Sequence, residues 1–294
     1  MKKSVFIFLV AVFLCGVLVS CKYGFYLGLF GEDSPDERAS SMTNLGEISV
    51  DEDIFSFVVV TDVHFGADEA RYNEKFFAWY KNQLAASDTT KRPRFLVSLG
   101  DSADKGRSAE FDEYNAFLRE IEQMENAVFG ANAKSYTILG NHDLYNNGWE
   151  NWENQIYPYT SYYALSVRGA SGGAVSLFFL DSANGTLGDE QRDSLEGNLK
   201  ADSNAKIVFS HYPIYAGGNL LMTVQDTTER ALLLTWFSKN NVKYVFAGHA
   251  HKDYGFSHPN FREDVTASYV FQREFRLVTV NTLTGAVSSE LLSY

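Results

Sequence analysis

Five of the six histidines in this chain lie at turns that directly follow short apolar runs, each near an Asp, Asn or second His. With one histidine-free segment of the same kind they make five motifs: Asp62-Val63-His64, Gly100-Asp101-Ser102-Ala103-Asp104, Gly140-Asn141-His142-Asp143, Ser210-His211-Tyr212-Pro213 and Gly248-His249-Ala250-His251. Asp, Asn and His together are ligands for a pair of divalent transition metals, and no cysteine cluster competes for that role. The sequence therefore predicts a metal site.

A short run of β-branched and aromatic residues precedes each motif. Such runs, bounded by glycine or polar turns, are typical of buried strands. They cover residues 57–60, 95–97, 136–139, 207–209 and 244–246. Open α/β sheets bind ligands beyond the C-terminal ends of their strands. We therefore expect five strand ends to bring these polar groups into one crevice.

Each motif alone also has an ordinary structural explanation. An Asp-x-His triplet is common at turns and helix starts, and one of His249 and His251 could be functional without the other. The order of all five motifs, each after a strand, is what favours a metal site. His258 precedes Pro259 in a polar stretch and is expected to be a surface-loop residue.

The ordered motifs resemble the signature of the calcineurin-like metallophosphoesterases, which reads D-x-H, G-D-x-x-D, G-N-H-D/E, a later H and a terminal G-H-x-H. The resemblance covers residues 54–251, and the flanking strands extend it to near the C-terminus. It implies an α/β fold, namely a four-layer αββα sandwich of two mixed β-sheets flanked by helices. A dinuclear metal site would lie at the C-terminal ends of the strands.

The resemblance also implies the ligands of two divalent metal ions, which would be Mn, Fe or Zn. It assigns Asp62, His64 and His251 to the first ion, Asn141, His211 and His249 to the second, and Asp101 as the bridge. A shared carboxylate suits two cations about 3.5–4 Å apart, and a water between them would be acidified enough to attack phosphorus. The same cations would neutralise charge on the phosphoryl oxygens.

His142 follows a ligand, but by the resemblance it is not one itself. It would lie over the leaving-group oxygen as a proton donor, with Asp104 holding its other ring nitrogen. Alternatively, Asp104 is a turn residue that bonds its own backbone. Asp143 is either a more distant hydrogen-bonding partner or a helix cap.

This chain departs from the motifs of two subfamilies, which narrows the choice of subfamily. The protein serine/threonine phosphatases carry the motif G-D-x-V-D-R-G followed by G-N-H-E. In this chain Lys105 replaces the Arg of the first motif, and Asp143 replaces the Glu of the second. Lysine cannot reproduce the bidentate grip of arginine on phosphate. Purple acid phosphatases carry a ligating tyrosine where Asp104 stands, and they lack the histidine supplied here by His64. Both subfamilies are therefore disfavoured.

Residues 1–20 are expected to be a signal peptide. A basic start and an apolar stretch over residues 5–19 lead to Leu18-Val19-Ser20-Cys21, which resembles a bacterial lipobox. This pattern predicts cleavage before Cys21 and lipid on its thiol. The alternative is an uncleaved anchor that continues through residues 23–30, although the apolar core is short for a spanning helix. Both interpretations predict an exported, membrane-anchored bacterial protein, periplasmic or on the cell surface.

Residues 21–53 are expected to form a lipidated tether, since from Gly31 onward they are polar and show no periodicity. Residues 54–294 would form one metallophosphoesterase domain, a length that fits a single layered α/β unit. Within that domain the patterns predict helices near 69–86, 109–126, 188–200 and 227–239, and closing strands over 267–292.

The excess of acidic residues limits the kinds of molecule that the protein can bind. Without the two signal-peptide lysines the chain has 23 basic and 37 acidic residues, a formal charge of −14. Such a surface repels polyanions, which disfavours a nuclease for long DNA or RNA. A small phosphate ester remains compatible because the metals would supply local positive charge. No protein partner is evident from the sequence.

The segment over residues 145–163 directly follows the third motif and is crowded with aromatic residues. They are Tyr145, Trp149, Trp152, Tyr157, Tyr159, Tyr162 and Tyr163. One interpretation is an aromatic wall for the leaving group of a substrate. The other is a small core beneath a long loop, since aromatic residues most often serve packing.

The sequence favours a metal-dependent phosphoesterase that hydrolyses a small extracytoplasmic phosphate ester by attack of a dimetal-activated water. A first alternative is a phosphodiesterase acting on cyclic nucleotides or lipid head groups. A second is a noncatalytic lipoprotein that binds a phosphate ligand. The complete ligand set, with His142 and Asp104, argues against the noncatalytic alternative, and the sequence leaves the other two open.

Overall fold

The computed structural model describes residues 34–69, 71–130, 132–215 and 222–294. The expected signal peptide and the expected lipidation site, Cys21, lie outside these ranges. Within the described ranges, no helix combines the length and apolarity needed to cross a membrane.

Within the described residues, two mixed β-sheets contain twelve strands. Their bounds are β1 Thr43–Ser49, β2 Ile54–Val60, β3 Pro93–Ser98, β4 Tyr136–Thr137, β5 Tyr163–Arg168, β6 Ala174–Phe179, β7 Ala205–Ser210, β8 Val242–Ala247, β9 Tyr254–Ser257, β10 Arg262–Val265, β11 Glu274–Asn281 and β12 Val287–Ser293. Sheet A has the order β1-β5-β6-β7-β8-β10-β9, and sheet B has the order β12-β11-β2-β3-β4.

Four helices lie where the sequence patterns predict them, and two short ones, over residues 35–38 and 148–155, are additions. Together they are α1 Pro35–Arg38, α2 Asn73–Leu84, α3 Ser108–Phe129, α4 Gly148–Gln155, α5 Asp189–Ala201 and α6 Thr227–Lys239. A short 3-10 segment, His142–Asn147, precedes α4. The predicted start of α6 has a clear physical cause, because Asp226 accepts hydrogen bonds from the backbone N–H groups of Thr228 and Glu229.

The inner strands of both sheets are buried on two faces, which produces four layers. In β2, Val58 and Val60 pack in the cluster that contains the apolar faces of α2 and α3. The alternate residues Phe57 and Val59 pack between the sheets, where the ring of Phe57 lies 5.9 Å from that of Phe209 in sheet A. A third cluster joins α5 and α6 to the outer face of sheet A. This arrangement confirms the expected αββα sandwich.

The tether expected over residues 21–53 is wrong for its described part, residues 34–53. β1 pairs in parallel with β5 and extends sheet A by one strand. The Arg38 side chain at the end of α1 is fully buried, and its Nε donates to Asp181 Oδ2 at 3.0 Å. A polar stretch therefore folds here because sheet pairing and a buried ion pair hold it, neither of which requires apolar periodicity.

Candidate metal centre

The seven expected ligands come together at the C-terminal ends of strands from both sheets. Parallel neighbours β2, β3 and β4 of sheet B end just before the Asp62, Asp101 and Asn141 motifs. Parallel neighbours β7 and β8 of sheet A end just before the His211 and His249 motifs. Because the strands within each group run the same way, their polar C-terminal turns lie at one edge. The cleft is therefore built from both sheets.

One group of potential metal ligands contains Asp62, His64, Asp101 and His251. Each residue offers one ligand atom, and these four atoms all lie within 4.8 Å of one another. The Nε2 atom of His251 is 3.0 Å from Asp62 Oδ1, and that of His64 is 3.8 Å from Asp101 Oδ2. Two carboxylates and two imidazoles at this spacing suit a divalent transition metal.

A second group contains Asp101, His211 and His249, again with ligand atoms within 4.8 Å of one another. The amide oxygen of Asn141 lies 3.0 Å from His211 Nε2 and adds a fourth oxygen or nitrogen ligand. Asp101 belongs to both groups, and its Oδ2 also lies 3.4 Å from His211 Nε2. The residues therefore fit two cations that share one carboxylate.

The backbone at these positions is strained. Five of the seven residues have a positive φ angle although none is glycine: Asp62 (52°), His64 (48°), Asp101 (52°), His249 (63°) and His251 (50°). Such a conformation costs about 1–3 kcal/mol per residue and persists only where the surroundings impose it. Strain clustered on one set of polar side chains is typical of a functional site.

A glycine permits the close approach of three of the ligand loops. Gly100 has φ +92°, and a Cβ atom there would lie 2.7 Å from the backbone nitrogen of Gly140 and 2.9 Å from His211 Nδ1. Any larger residue would push the Asp101 turn away from its neighbours. The glycine before Asp101 is therefore a steric requirement of the cleft.

Histidines neutralise the buried carboxylates of the cleft. Burial would raise the pKa of Asp101, but His211, His142 and His64 hold that pKa well below its usual value. Conversely, burial opposes a charge on His211, yet Asp101 raises the pKa of His211 to about 9. Burial and neighbouring His211 lower the pKa of His249 to about 3, so its imidazole is neutral. Divalent cations would replace the protonated imidazoles as counter-charges and release their protons.

Surrounding hydrogen bonds fix the orientation of the ligand side chains. Nδ1 of His211 donates to the carbonyl of Leu99 at 2.7 Å, which directs Nε2 toward Asp101 and Asn141. Asp101 Oδ1 accepts from the backbone N–H of His142 at 2.8 Å. Such outer contacts hold a ring in one tautomer and increase its basicity toward a metal.

Comparison with known proteins identifies the family. The sequence model of the calcineurin-like phosphoesterases matches residues 55–253. The chain belongs to this family. Members are phosphoester hydrolases that use divalent metals, in agreement with the two ligand groups.

Two bacterial relatives carry a more specific name, "Probable cyclic nucleotide phosphodiesterase". The protein of Fibrobacter succinogenes is 28% identical over 200 residues, which cover 66% of this chain and 72% of the relative. The protein of Xenorhabdus bovienii is 24% identical over 183 residues, which cover 60% of this chain and 68% of the relative. A solved dimetal phosphatase of Danio rerio has the same fold, with a TM-score of 0.55, 14% identity and coverage of 82% of this chain and 99% of that one.

The contact between His142 and Asp104 differs from the expected one. Nδ1 of His142 donates to the backbone carbonyl of Asp104 at 2.8 Å, whereas the Asp104 carboxylate is 3.8 Å from the same nitrogen. That carboxylate lies 3.6 Å from Nδ1 of His64, an atom that is buried and has no hydrogen-bonding partner among the described residues. Asp104 therefore orients His142 through its backbone, while its carboxylate lies at nearly the same distance from His64 and His142.

Asp143 joins two of the ligand loops, as the first of its two sequence-based interpretations expects. It is fully buried, and its oxygens accept from the backbone N–H groups of Ala103 at 2.8 Å and Gly140 at 2.9 Å. Burial, together with the nearby charge of Asp101, raises the pKa of Asp143 to about 8. The residue contacts the loops rather than the expected metal positions, so its role is to hold the loops together.

Most of the aromatic segment over residues 145–163 serves packing. Trp152, Tyr162 and Tyr163 are fully buried, and their rings belong to the core clusters. Tyr145, in the same segment, lies beside a site residue, with its ring 4.9 Å from that of His142. The sequence patterns miss a different aromatic residue, Phe271, whose ring stacks on His251 at 5.0 Å. Its setting in the sequence is that of an ordinary apolar residue before a strand.

Proposed function

We propose that the protein hydrolyses a small phosphate ester with two divalent ions, and that phosphodiesters of the nucleotide type are its preferred class. The observation that carries the proposal is the pair of ligand groups that share Asp101. When bound, the ions supply an acidified water and positive charge for the phosphoryl oxygens. The names of the two bacterial relatives support the choice of a diester.

The roles of the individual side chains follow from their positions. We assign one ion to Asp62, His64 and His251, the other to Asn141, His211 and His249, and the shared position to Asp101. His142 is not in either group of direct ligands around Asp101. Because Nδ1 of His142 donates to the Asp104 carbonyl, Nε2 is the nitrogen left for the substrate, and it can give a proton to the leaving oxygen when the imidazole is protonated.

The exposed state of His142 fits that role. Its side chain is 31% exposed, so it can exchange a proton with solvent between turnovers. Exposure alone does not separate it from the assigned ligands, because the side chain of His251 is 34% exposed.

Turnover of a panel of esters tests the proposed activity. With Mn²⁺ added, we expect hydrolysis of bis(4-nitrophenyl) phosphate and of cyclic nucleotides, and a lower kcat/KM for 4-nitrophenyl phosphate. A higher kcat/KM for the monoester would establish the broader phosphatase function and exclude the preference for diesters. No hydrolysis of any member with Mn²⁺, Fe²⁺ or Zn²⁺ would overturn the proposal.

We also propose that the enzyme works outside the cytoplasm, attached to a bacterial membrane by lipid on Cys21. The support is the lipobox-like sequence at residues 18–21. Replacing Cys21 by Ser should abolish labelling by a fatty-acid analogue and release the protein from membranes. A wild-type protein that keeps its N-terminal Met would refute lipidation at Cys21, and one that is recovered as soluble would refute the membrane location.

A further inference from the structure

Phe271 is an exposed aromatic ring in direct contact with two of the candidate metal ligands. The residue is 38% exposed. Its ring lies nearly parallel to that of His251, with centroids 5.0 Å apart and an interplanar angle of 25°. It also lies 5.4 Å from the ring of His64. One face of Phe271 is thus occupied by a site histidine, while part of its surface is open to solvent.

The turn that carries Phe271 is hydrogen-bonded to the metal-ligand loop. Ser268 Oγ donates to the carbonyl of Asp62 at 2.9 Å and accepts from the backbone N–H of Phe271 at 3.2 Å. The backbone N–H of Tyr269, which follows Ser268, donates to the carbonyl of Thr61 at 2.9 Å. Ser268 and Tyr269 are fully buried. The position of the Phe271 ring is therefore fixed relative to Asp62.

We propose that Phe271 is a specificity-determining residue that packs against the organic group of the substrate and favours planar aromatic groups, such as a nucleobase or an aryl ring. This inference rests on the proposed phosphoesterase function. A substrate phosphate that lies between the two ligand groups places its ester group within reach of the surrounding rim. Phe271 is on that rim, and its open surface can stack on a second ring.

The chemistry of the side chain sets the kind of selectivity. A phenyl ring has no hydrogen-bonding group, so it distinguishes planar from non-planar groups but does not distinguish one base from another. Stacking of a base on an aromatic side chain tolerates every base because each has a π-face. The enzyme should accordingly accept several nucleobases and simple aryl esters, and discriminate against short alkyl esters.

A purely structural role for Phe271 is the competing explanation. In that case the ring only shields His251 from water, and its removal would weaken all phosphate ligands alike. Contact with the organic group predicts a loss that depends on that group. Ligands that differ only in their organic group separate the two roles.

Calorimetric binding of phenylphosphonate, ethylphosphonate and inorganic phosphate to the full-length, Mn²⁺-loaded protein makes this comparison. We expect the wild-type protein to bind phenylphosphonate roughly 5- to 20-fold more tightly than ethylphosphonate, the range expected of one aromatic contact. Phe271→Ala should abolish that preference and leave the affinity for inorganic phosphate unchanged. Phe271→Leu, which keeps apolar bulk without a ring, should retain a smaller part of it.

Leu283→Ala is the matched control. Leu283 is also an exposed apolar residue, with 56% of its surface accessible, but it follows the far end of β11, the strand that begins just after Phe271. This variant should bind all three ligands as the wild type does. Melting temperatures and bound Mn²⁺ verify that each variant is folded and loaded.

Two results would overturn the inference. One is equal affinity of the wild-type protein for phenylphosphonate and ethylphosphonate, and the other is an equal loss for all three ligands in Phe271→Ala. Because binding is measured without turnover, the outcome is independent of the ester panel above. A protein that hydrolyses no ester but keeps an aromatic preference that depends on Phe271 would refute the proposed function alone.

Discussion

The Oδ1 atom of Asp104 lies 3.6 Å from Nδ1 of His64, a buried nitrogen that lacks any hydrogen-bonding partner among the described residues. A small adjustment of the loop would bring these atoms into hydrogen-bonding distance when the opposite nitrogen, Nε2, binds a metal. A carboxylate behind a ligating histidine fixes its tautomer and strengthens its bond to the metal. We therefore expect the side chain of Asp104 to support the proposed metal site.

Asp104→Asn should consequently weaken metal binding, by about 10- to 100-fold. Titration of the metal-free protein with Mn²⁺ measures the effect. Lys105→Met is the matched control, since it removes the cation that pairs with Asp104 and leaves the carboxylate in place. Normal Mn²⁺ affinity in Asp104→Asn, with a steeper dependence of rate on leaving-group pKa, would instead place Asp104 behind His142.

His142→Ala should leave both metals bound and slow the reaction. In the proposed mechanism its Nε2 protonates the leaving oxygen, and a positioned general acid contributes roughly 10²–10⁴ in rate. The loss should be smallest for 4-nitrophenyl esters, which need little protonation, and largest for alkyl esters. Metal analysis and a series of leaving groups check this result. Loss of metal, or equal slowing of every ester, would contradict the role of His142.

The grouping of the site residues could be anticipated because it depends on chain topology. Once Asp62 and His211 are placed after strands, the parallel order within each sheet brings both to the same cleft. The target of the Asp104 carboxylate could not be anticipated, because the choice between His64 and His142 depends on side-chain distances of a few tenths of an ångström. The order of the motifs in the sequence does not predict distances that small.

The folded N-terminal segment was missed for a different reason. Its attachment depends on the ion pair of Arg38 with Asp181, which is 143 residues away in the chain. The polar sequence around Arg38 has no apolar periodicity that would signal burial. The setting of Phe271 could not be anticipated for a similar reason, since its exposure and its stacking on His251 depend on the folded structure.

Arg38→Met should lower the free energy of unfolding by about 3–5 kcal/mol, because it leaves the carboxylate of Asp181 buried without its cation. Arg168→Met is the control: Arg168 pairs with Glu47 at 2.7 Å, but both side chains are more than a third exposed. Loss of that surface pair should cost much less, because water screens it. Urea denaturation of both variants measures the difference. Equal costs would show that the N-terminal segment is only loosely attached.

Glu125 should make stability depend on pH. The residue is fully buried, and burial raises its pKa from an ordinary 4.5 to about 8. Between these values the folded protein holds a proton that the unfolded chain has released. The stabilising contribution is therefore complete below pH 4.5 and is lost as the pH rises toward 8.

Glu125→Gln should remove that dependence. Relative to this variant, the free energy of unfolding of the wild type should fall between pH 5 and pH 8 with a slope that corresponds to one proton. Glu120→Gln, an exposed position on the same helix, should parallel the wild type. Denaturation at several pH values gives the slopes. Parallel curves for the wild type and Glu125→Gln would mean that Glu125 is ionised in the folded protein.

The number of metal ions bound per chain tests the central claim most directly. After saturation with Mn²⁺ and removal of the excess, elemental analysis of the full-length protein should give two ions per chain. Asp101→Ala should lose both ions and the hydrolytic activity together, because this carboxylate belongs to both ligand groups. A wild-type protein that holds no more than one tightly bound ion under saturating conditions would contradict a dinuclear centre.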